Sequence, residues 1–464
     1  MLPSKKMHFE ISERKILLRL FDVLTVIGAL SFVGHTFDFN YFSITEASFY
    51  WTIVLALYVN VLGTVFEMYN LQVASNQLQI IKSIVLTSST TVLLFLLTPV
   101  FTPILPSNRL QIVYFFLSIT ISLFIWRLLY QKFLASQRFV KKVIIVCDQT
   151  QLEQLATSLE SADPHYKVVG FVDTDSLNAR EDMVSVIRPI GISEMETFVR
   201  LNGVSEIVIA SQKTDGMTVD LYNNLLVLLE SGFGIKAYTQ VYEAITHRIP
   251  IQHFDKDFYR YFPFSRSNQN RLYLLLIKIF EVVFSIIGLL IGSLILPFVL
   301  LGNLIGNRGP LFYTQTRVGK NGVPFEIYKY RTMIKNAESG GIKFATQGDA
   351  RITPFGRILR KTRIDEIPQF INILKGDMGF IGPRPERPFF VKELAAVMPF
   401  YETRHVIKPG LTGWAQVNYS YGESIEESLI KLQYDLYYIK HRSIFLDLNI
   451  IIKTFSTVLF YRGQ

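Results

Sequence analysis

Residues 272–305 form one apolar run, interrupted by Gly288, Gly292 and Pro297. A run of this length belongs in a bilayer, since about 20 apolar residues already cross a hydrocarbon core as a helix. Its flanks argue against a simple crossing. Arg260, Arg266, Arg271 and Lys278 lie towards its start, and Arg308, Arg317 and Lys320 follow it. Positive residues at both ends hold both ends on the cytoplasmic side. A proline inside a helix removes a hydrogen bond and bends it, so Pro297 is the expected break of a re-entrant helix that returns to its own side.

Four further apolar stretches come earlier, at 16–33, 49–66, 80–100 and 110–129. Each is near membrane-spanning length, and the first lacks the cleavage site of a removed signal peptide. Lys5, Lys6, Arg14 and Lys15 precede the first, while Arg127, Lys132, Arg138, Lys141 and Lys142 are counted after the fourth. The first intervening loop carries Asp38 and Glu46 and no Lys or Arg, so both ends of this bundle are expected in the cytoplasm. No charge sits mid-span in the second to fourth stretches, and a transport path is not indicated. Half of the residues are hydrophobic, which is too apolar for an ordinary soluble protein. The single cysteine, Cys147, excludes a disulfide framework and a cysteine-based zinc site; its apolar surroundings place it in a strand core. The net charge of +9 suits anionic lipid or phosphorylated substrates. With no nucleic-acid motif among the basic residues, nucleic acid is not an expected partner.

Between 142 and 238 short apolar runs alternate with helical periods. Strands are expected at 143–147, 167–172, 206–210 and 235–238, and helices near 151–159, 193–201 and 219–231. Such alternation describes a parallel sheet with crossover helices, a small Rossmann-like domain. A dinucleotide fold carries GxGxxG after its first strand. Here Asp148-Gln149-Thr150-Gln151 stands in that place, so the domain reads as structural or regulatory.

The densest chemistry lies at 351–386. A basic run (Arg351, Arg357, Arg360, Lys361, Arg363) meets the carboxylate pair Asp365-Glu366, then an apolar helical segment ending at Gly376, then Gly382-Pro383-Arg384-Pro385. Asp365 is placed at a helix N-cap with Pro368 in the first turn. Unpaired N–H groups and the dipole there favour a carboxylate or phosphate. An ionised Asp is also a competent nucleophile towards phosphorus. The ordinary reading of a lone DE pair is a solvated cap; the flanking arginines, with forked donors for phosphate oxygens, argue for more. Two prolines restrict the backbone around Arg384, so less entropy is lost when it meets an anion. Before it, 312–317 and 325–330 flank Asn321-Gly322, a hairpin turn pair. Lys329 and Arg331 of this hairpin either face phosphates or are merely solvated. Arg404 and Lys408 precede the rigid Pro409-Gly410 and are within reach of a nucleotide. Trp414 either stacks on a base or, as favoured, fills the core. His405 and His441 lack metal-ligand spacing. The stretch 444–460 is either an interfacial helix or one packed on the core.

The block Arg360-Lys361-Thr362-Arg363-Ile364-Asp365-Glu366-Ile367-Pro368-Gln369, continuing through Lys375-Gly376-Asp377-Met378 to Gly382-Pro383-Arg384-Pro385, resembles the signature of the bacterial sugar transferase family. These are the monotopic polyprenyl-phosphate phosphoglycosyl transferases. Matching blocks lie at 317–322, 325–333 and 408–418, and the whole layout resembles the large form of the family. The resemblance covers roughly 271–463 and implies a membrane protein of three parts. They are an α-helical N-terminal bundle (1–137), a Rossmann-like α/β domain (138–259) and an α+β monotopic catalytic domain with a re-entrant helix (260–464). The family's usual helix break is Ser-Pro, and here it is Leu296-Pro297.

The resemblance implies transfer of a sugar 1-phosphate from a UDP-sugar to undecaprenyl phosphate, through a covalent aspartyl-phosphosugar, releasing UMP. This is the first membrane step of exopolysaccharide, capsule or O-antigen synthesis. It implies Asp365 as nucleophile and Glu366 as a ligand for Mg²⁺ or an aid to the acceptor phosphate. Arg360, Arg384, Lys329, Arg331, Arg404 and Lys408 would bind phosphate or substrate, and Asp435 matches an acidic position that either holds metal or lies on a helix surface. Asn418 to Tyr421 are a place for sugar specificity. The expected location is the bacterial inner membrane, multi-pass, with the middle and catalytic domains cytoplasmic; a homodimer is left open. Two other classes compete: a membrane-tethered, nicotinamide-dependent sugar-nucleotide epimerase or dehydratase, opposed by the missing GxGxxG, and a non-enzymatic scaffold for polysaccharide assembly.

Overall fold

A computed structural model of the chain describes residues 11–37, 39–69, 77–133, 140–163, 166–174, 187–210, 218–251, 265–335, 337, 349–398, 400–419 and 424–459. The apolar stretches become helices: α1 (Ile11–Thr36), α2 (Phe49–Val65), α3 (Gln77–Leu97) and α4 (Leu110–Phe133). Of these, α1, α3 and α4 are long and apolar enough to cross a membrane; α2 is shorter, at 17 residues. Their shared core is aromatic at one end, with Phe39, Tyr41, Phe42, Phe95 and Phe115 buried together. At the other end Arg127 donates to Asp22 at 2.7 Å, both side chains almost fully enclosed. Arg127 therefore lies inside α4 rather than beyond it. The sequence alone put it among the flanking positive charges because nothing local marks its partner, 105 residues earlier.

The expected α/β part follows with small shifts at its ends. Strands β1 (Lys141–Cys147), β2 (Tyr166–Asp173), β3 (Glu206–Ile209) and β4 (Gly234–Ala237) form an all-parallel sheet in the order β2-β1-β3-β4. Parallel neighbours need crossovers, supplied here by α5 (Leu152–Ala162), α6 (Met195–Asn202) and α7 (Val219–Glu230). β1 is buried from Val143 to Cys147 and has partners on both sides, as its unbroken apolar sequence requires. After β1 the chain makes a short 3-10 turn, Gln149–Gln151, without glycine.

The chain divides into two compact units, Met1–Val241 and Tyr242–Gln464, with α8 (Tyr238–Thr246) passing from one to the other. The second unit thus begins earlier than residue 260. Ile249 N–H donates to the Gln433 carbonyl at 3.1 Å, Trp414 Nε1 donates to the His247 carbonyl at 3.1 Å, and Ile249 and Ile251 sit in this unit's main core. Residues 252–264, which include the start of the linker expected from Arg260, lie outside the described residues.

Within the second unit, α9 (Arg271–Gly302) is followed by the hairpin β5 (Phe312–Val318) and β6 (Pro324–Tyr330). Asn321 and Gly322 both take positive φ at its turn, as their order predicts. Helical hydrogen bonding in α9 continues through Pro297 and ends in a π-turn, Asn303–Asn307, so the helix is not interrupted at the proline. Next come α10 (Pro354–Lys361), α11 (Gln369–Lys375), β7 (Gly379–Ile381), α12 (Pro388–Val397) and β8 (Gly410–Thr412). The chain closes with α13 (Trp414–Asn418), α14 (Ile425–His441) and α15 (Ile444–Leu459).

One face of α9 is packed along its whole length by the rest of this unit. Tyr273 bonds to Asp447, Phe370 and Ile367 fill notches at Gly288 and Gly292, Val299 packs with Tyr330 and Leu359, and Phe355 covers Gly302 and Gly306. The other face shows Leu275, Ile279, Ile286, Leu290, Leu294 and Phe298 exposed. α15 divides in the same way: Ile450 is fully buried in the core, while Phe445, Leu448 and Phe455 are exposed. Trp414 is buried and Cys147 is a buried free thiol, both as expected.

Candidate active site

The carboxylate pair sits on a 3-10 turn, Ile364–Glu366, and α11 begins three residues later with Pro368 as its cap. Asp365 therefore lies one turn ahead of the helix cap, Pro368, rather than at the cap as expected. The chain reaches this turn through Arg363, whose φ of 57° puts a β-carbon in the left-handed region at a cost of about 1 kcal/mol. Asn372, fully buried in α11, fixes the turn against the hairpin. Its Nδ2 donates to the Glu326 carbonyl at 2.7 Å and to Asp377 Oδ2 at 3.2 Å, while its Oδ1 accepts the Tyr328 N–H at 3.1 Å. Gly376, at φ 87°, ends the helix as its position predicts.

The two adjacent carboxylates have opposite surroundings. Glu366 Oε1 accepts from Lys329 Nζ at 3.1 Å and Arg384 Nη2 at 3.2 Å, and Oε2 accepts from Arg363 Nη1 at 3.4 Å. Burial works against its charge, but Lys329, Arg384 and Arg363 overcome that and hold the carboxyl well below the usual range. Asp365 is 6% exposed, and its Oδ1 has no hydrogen-bond donor. Burial, then the neighbouring Glu366 charge, pushes it up to about 6, against the pull of Lys329, Arg360 and Arg363. Asp365 thus remains largely ionised at neutral pH with a lone pair unspent. A nucleophile needs that, and Glu366 lacks it.

A pocket opens beside Glu366, lined by Lys329, Arg384, Arg317 and Gln369 with the backbone of Gly410. Arg317 and Gln369 were not among the expected site residues. Arg317 donates to the Pro385 carbonyl at 3.0 Å and to Gln315 at 2.6 Å, but its Nε is buried without a partner, as is Gln369 Nε2. Two unspent donors in a cationic pocket suit an anionic, oxygen-rich ligand. Arg360, expected at phosphate, donates to Thr332 Oγ1 at 2.9 Å and contributes to the field at Asp365.

The remaining expected residues lie elsewhere. Arg404 and Asp435 pair with each other at 2.7 Å, both buried, and Arg404 also donates to the Tyr401 hydroxyl and the Arg384 carbonyl. Asp435 is consequently neither a helix-surface carboxylate nor grouped with Glu366, and Arg404 supports the backbone of the Arg384 loop. Arg331 donates to the Pro310 carbonyl and lies over Tyr313. Lys408 is exposed, with Nζ beside Gly376. Asn418 bonds to Lys453 and to the Trp414 carbonyl; Ser420 and Tyr421 fall outside the described residues. Among the described residues, no three His, Cys, Asp or Glu side chains are grouped to hold a metal.

Comparison with known proteins finds sequence relatives of this chain. The family model for bacterial sugar transferase matches residues 272–461. A UDP-N-acetylgalactosamine-undecaprenyl-phosphate N-acetylgalactosaminephosphotransferase of Aeromonas hydrophila is 39% identical over 47% of this chain and 51% of its own. A UDP-glucose:undecaprenyl-phosphate glucose-1-phosphate transferase of Escherichia coli is 36% identical over 40% of each. An uncharacterised sugar transferase of Bacillus subtilis is 37% identical over 41% of this chain and 90% of its own. The match thus spans about half, or less, of the first two relatives, and nearly all of the short third one.

Proposed function

The chain is a member of the bacterial sugar transferase family, and on that footing we propose that it transfers a sugar 1-phosphate from a UDP-sugar to undecaprenyl phosphate. One observation carries the reading: of two adjacent buried carboxylates, Glu366 is held by three cations and Asp365 keeps an oxygen without a donor. Asp365 attacks the sugar-proximal phosphorus, and the bond from that phosphorus to UMP breaks, with UMP taking the electron pair. The phosphosugar remains on the carboxylate as a mixed anhydride. An oxygen of undecaprenyl phosphate then attacks the same phosphorus, and Asp365 leaves as a free carboxylate. Lys329 and Arg384, which grip an anion in Glu366, meet the charge that develops on the phosphate oxygens.

Magnesium fits the donor set. One or two carboxylates suffice when substrate phosphates complete its shell, and Glu366 would hold it, leaving Asp365 Oδ1 free to attack phosphorus. Bound there, it supplies charge neutralisation. Asp435, paired with Arg404, stands apart from it.

The re-entrant reading of α9 has its own support. As a straight rod its 32 residues measure about 48 Å, against a hydrocarbon thickness of about 30 Å. A polar, charge-bearing body packs against it from Tyr273 to Gly306. A full crossing would carry that body into the lipid, whereas a helix bent at Pro297, its hydrogen bonding carried past the proline, enters and returns and leaves the body at the surface. UDP-sugars are cytoplasmic, so the catalytic unit belongs on that side of the inner membrane. The parallel sheet is read as a Rossmann-like domain of structural or regulatory use, since no glycine-rich turn follows β1.

The test is UMP release from a panel of UDP-sugars with polyprenyl phosphate and Mg²⁺, on wild type and Asp365→Asn. Donor alone should leave the mass of a phosphosugar on Asp365. Brisk turnover by Asp365→Asn would overturn the assignment.

A further inference from the structure

Glu281 is the acidic side chain of the apolar α9. A carboxylate in a membrane-embedded helix is retained only with a partner or a task. Glu281 is 9% exposed, and its Oε1 accepts the backbone N–H of Phe380 at 3.2 Å. Phe380 is the middle residue of β7, whose flanking residues Gly379 and Ile381 pair with Gly410 and Thr412 of β8. Its amide points to the open edge of this two-stranded sheet, and the carboxylate takes the place of a third strand. The fit is close: a Cβ on Gly379 would stand 2.6 Å from Glu281 Oε1. Around the bond the Phe380 ring is held by Phe280 at 5.8 Å and Phe370 at 5.6 Å between centroids.

β7 runs directly into Gly382-Pro383-Arg384, and Arg384 donates to Glu366 at 3.2 Å. The prolines make this segment stiff, so a displacement of β7 is passed on to the guanidinium. Resting on the site reading above, we infer that Glu281 is a positioning residue: through the Phe380 amide the membrane helix sets where Arg384 meets the donor phosphates. It touches neither substrate nor reacting atoms.

The experiment compares full-length wild type, Glu281→Ala, Glu281→Gln and Gly379→Ala in lipid nanodiscs by two readouts. Hydrogen exchange of the peptide carrying Phe380 is independent of activity. Its protection should fall by about tenfold or more in Glu281→Ala, persist in Glu281→Gln, whose amide oxygen accepts the same N–H, and fall in Gly379→Ala. In turnover, Glu281→Ala should raise KM for the UDP-sugar about tenfold, whereas loss of folded protein alone would lower kcat at constant KM. Combined with Arg384→Ala it should add nothing further, because both changes act on one contact. Unchanged protection in Glu281→Ala, or additive effects with Arg384→Ala, would overturn the inference. Should wild type release no UMP, the site reading fails instead, and exchange still decides whether Glu281 holds β7.

Discussion

Ile367 occupies the notch left by Gly292: a Cβ on that glycine would stand 2.6 Å from Ile367 Cγ2. Ile367 is two residues from Asp365, so the apolar helix α9 and the carboxylate proposed as nucleophile are in near-direct mechanical contact. Gly292→Ala should push the 3-10 turn away and cost at least tenfold in kcat, with a stability loss of about 1–3 kcal/mol from overpacking. Adding Ile367→Ala reopens the space, and recovery of part of the lost rate in the double variant is the check.

Asp365 should show a trade between activity and stability. Its folded pKa is raised to about 6, so its contribution to stability is fully present below the unfolded value and lost as pH rises through the folded one. At neutral pH the buried charge is a cost. Asp365→Asn should therefore abolish turnover by about 10³-fold or more while stabilising the protein at pH 7 by on the order of 2 kcal/mol. That gain should fade towards pH 4 in thermal melts.

In wild type the rate should fall as pH drops through about 6, where Asp365 takes up a proton. The Glu366 charge is part of what raises Asp365. Whatever activity Glu366→Gln retains should have its acid limb at lower pH, measured as kcat/KM against pH with UDP-sugar.

Arg404→Met removes one side of a buried pair and leaves Asp435 uncompensated, at a cost of about 3–5 kcal/mol. Arg404→Met with Asp435→Leu should recover most of the stability. It should not restore full activity, because Arg404 also bonds the Arg384 carbonyl. Melting temperature and KM for the donor separate the two effects.

The same reasoning applies in the bundle. Arg127→Gln alone strands Asp22 among apolar helices and should lower stability by about 3 kcal/mol. Asp22→Asn with Arg127→Gln, a neutral pair able to share a hydrogen bond, should lose far less in a detergent melt.

The features that were legible in the sequence are local ones. Asn321-Gly322 specifies its own turn, the apolar core strand β1 announces a sheet buried on both faces, and Gly376 stops α11 where the apolar period ends. Asp365, Glu366, Lys329 and Arg384 were picked out by residue types suited to phosphate together with the family resemblance, and the fold gathers Lys329 and Arg384 around Glu366 beside Asp365. What escaped was pairing at a distance. Arg404 and Asp435, 31 residues apart, looked like two ligands because each shows an open charge until the fold joins them. Arg127 looked like a flanking charge for the same reason. Gln369 and Asn372 sit in a helical segment where amides are unremarkable, and only their burial gives them a role. Pro297 invited a break at its own position, yet the helix is carried past it and ends at Asn303–Asn307.

Packing along all of α9 has a practical result. The anchor is also a wall of the enzyme's interior, so trimming it away to obtain a water-soluble fragment would expose Phe355, Phe370 and Ile367 and unseat the turn that bears Asp365. On the proposed function, detaching the catalytic unit from α9 should therefore abolish activity rather than merely solubilise it.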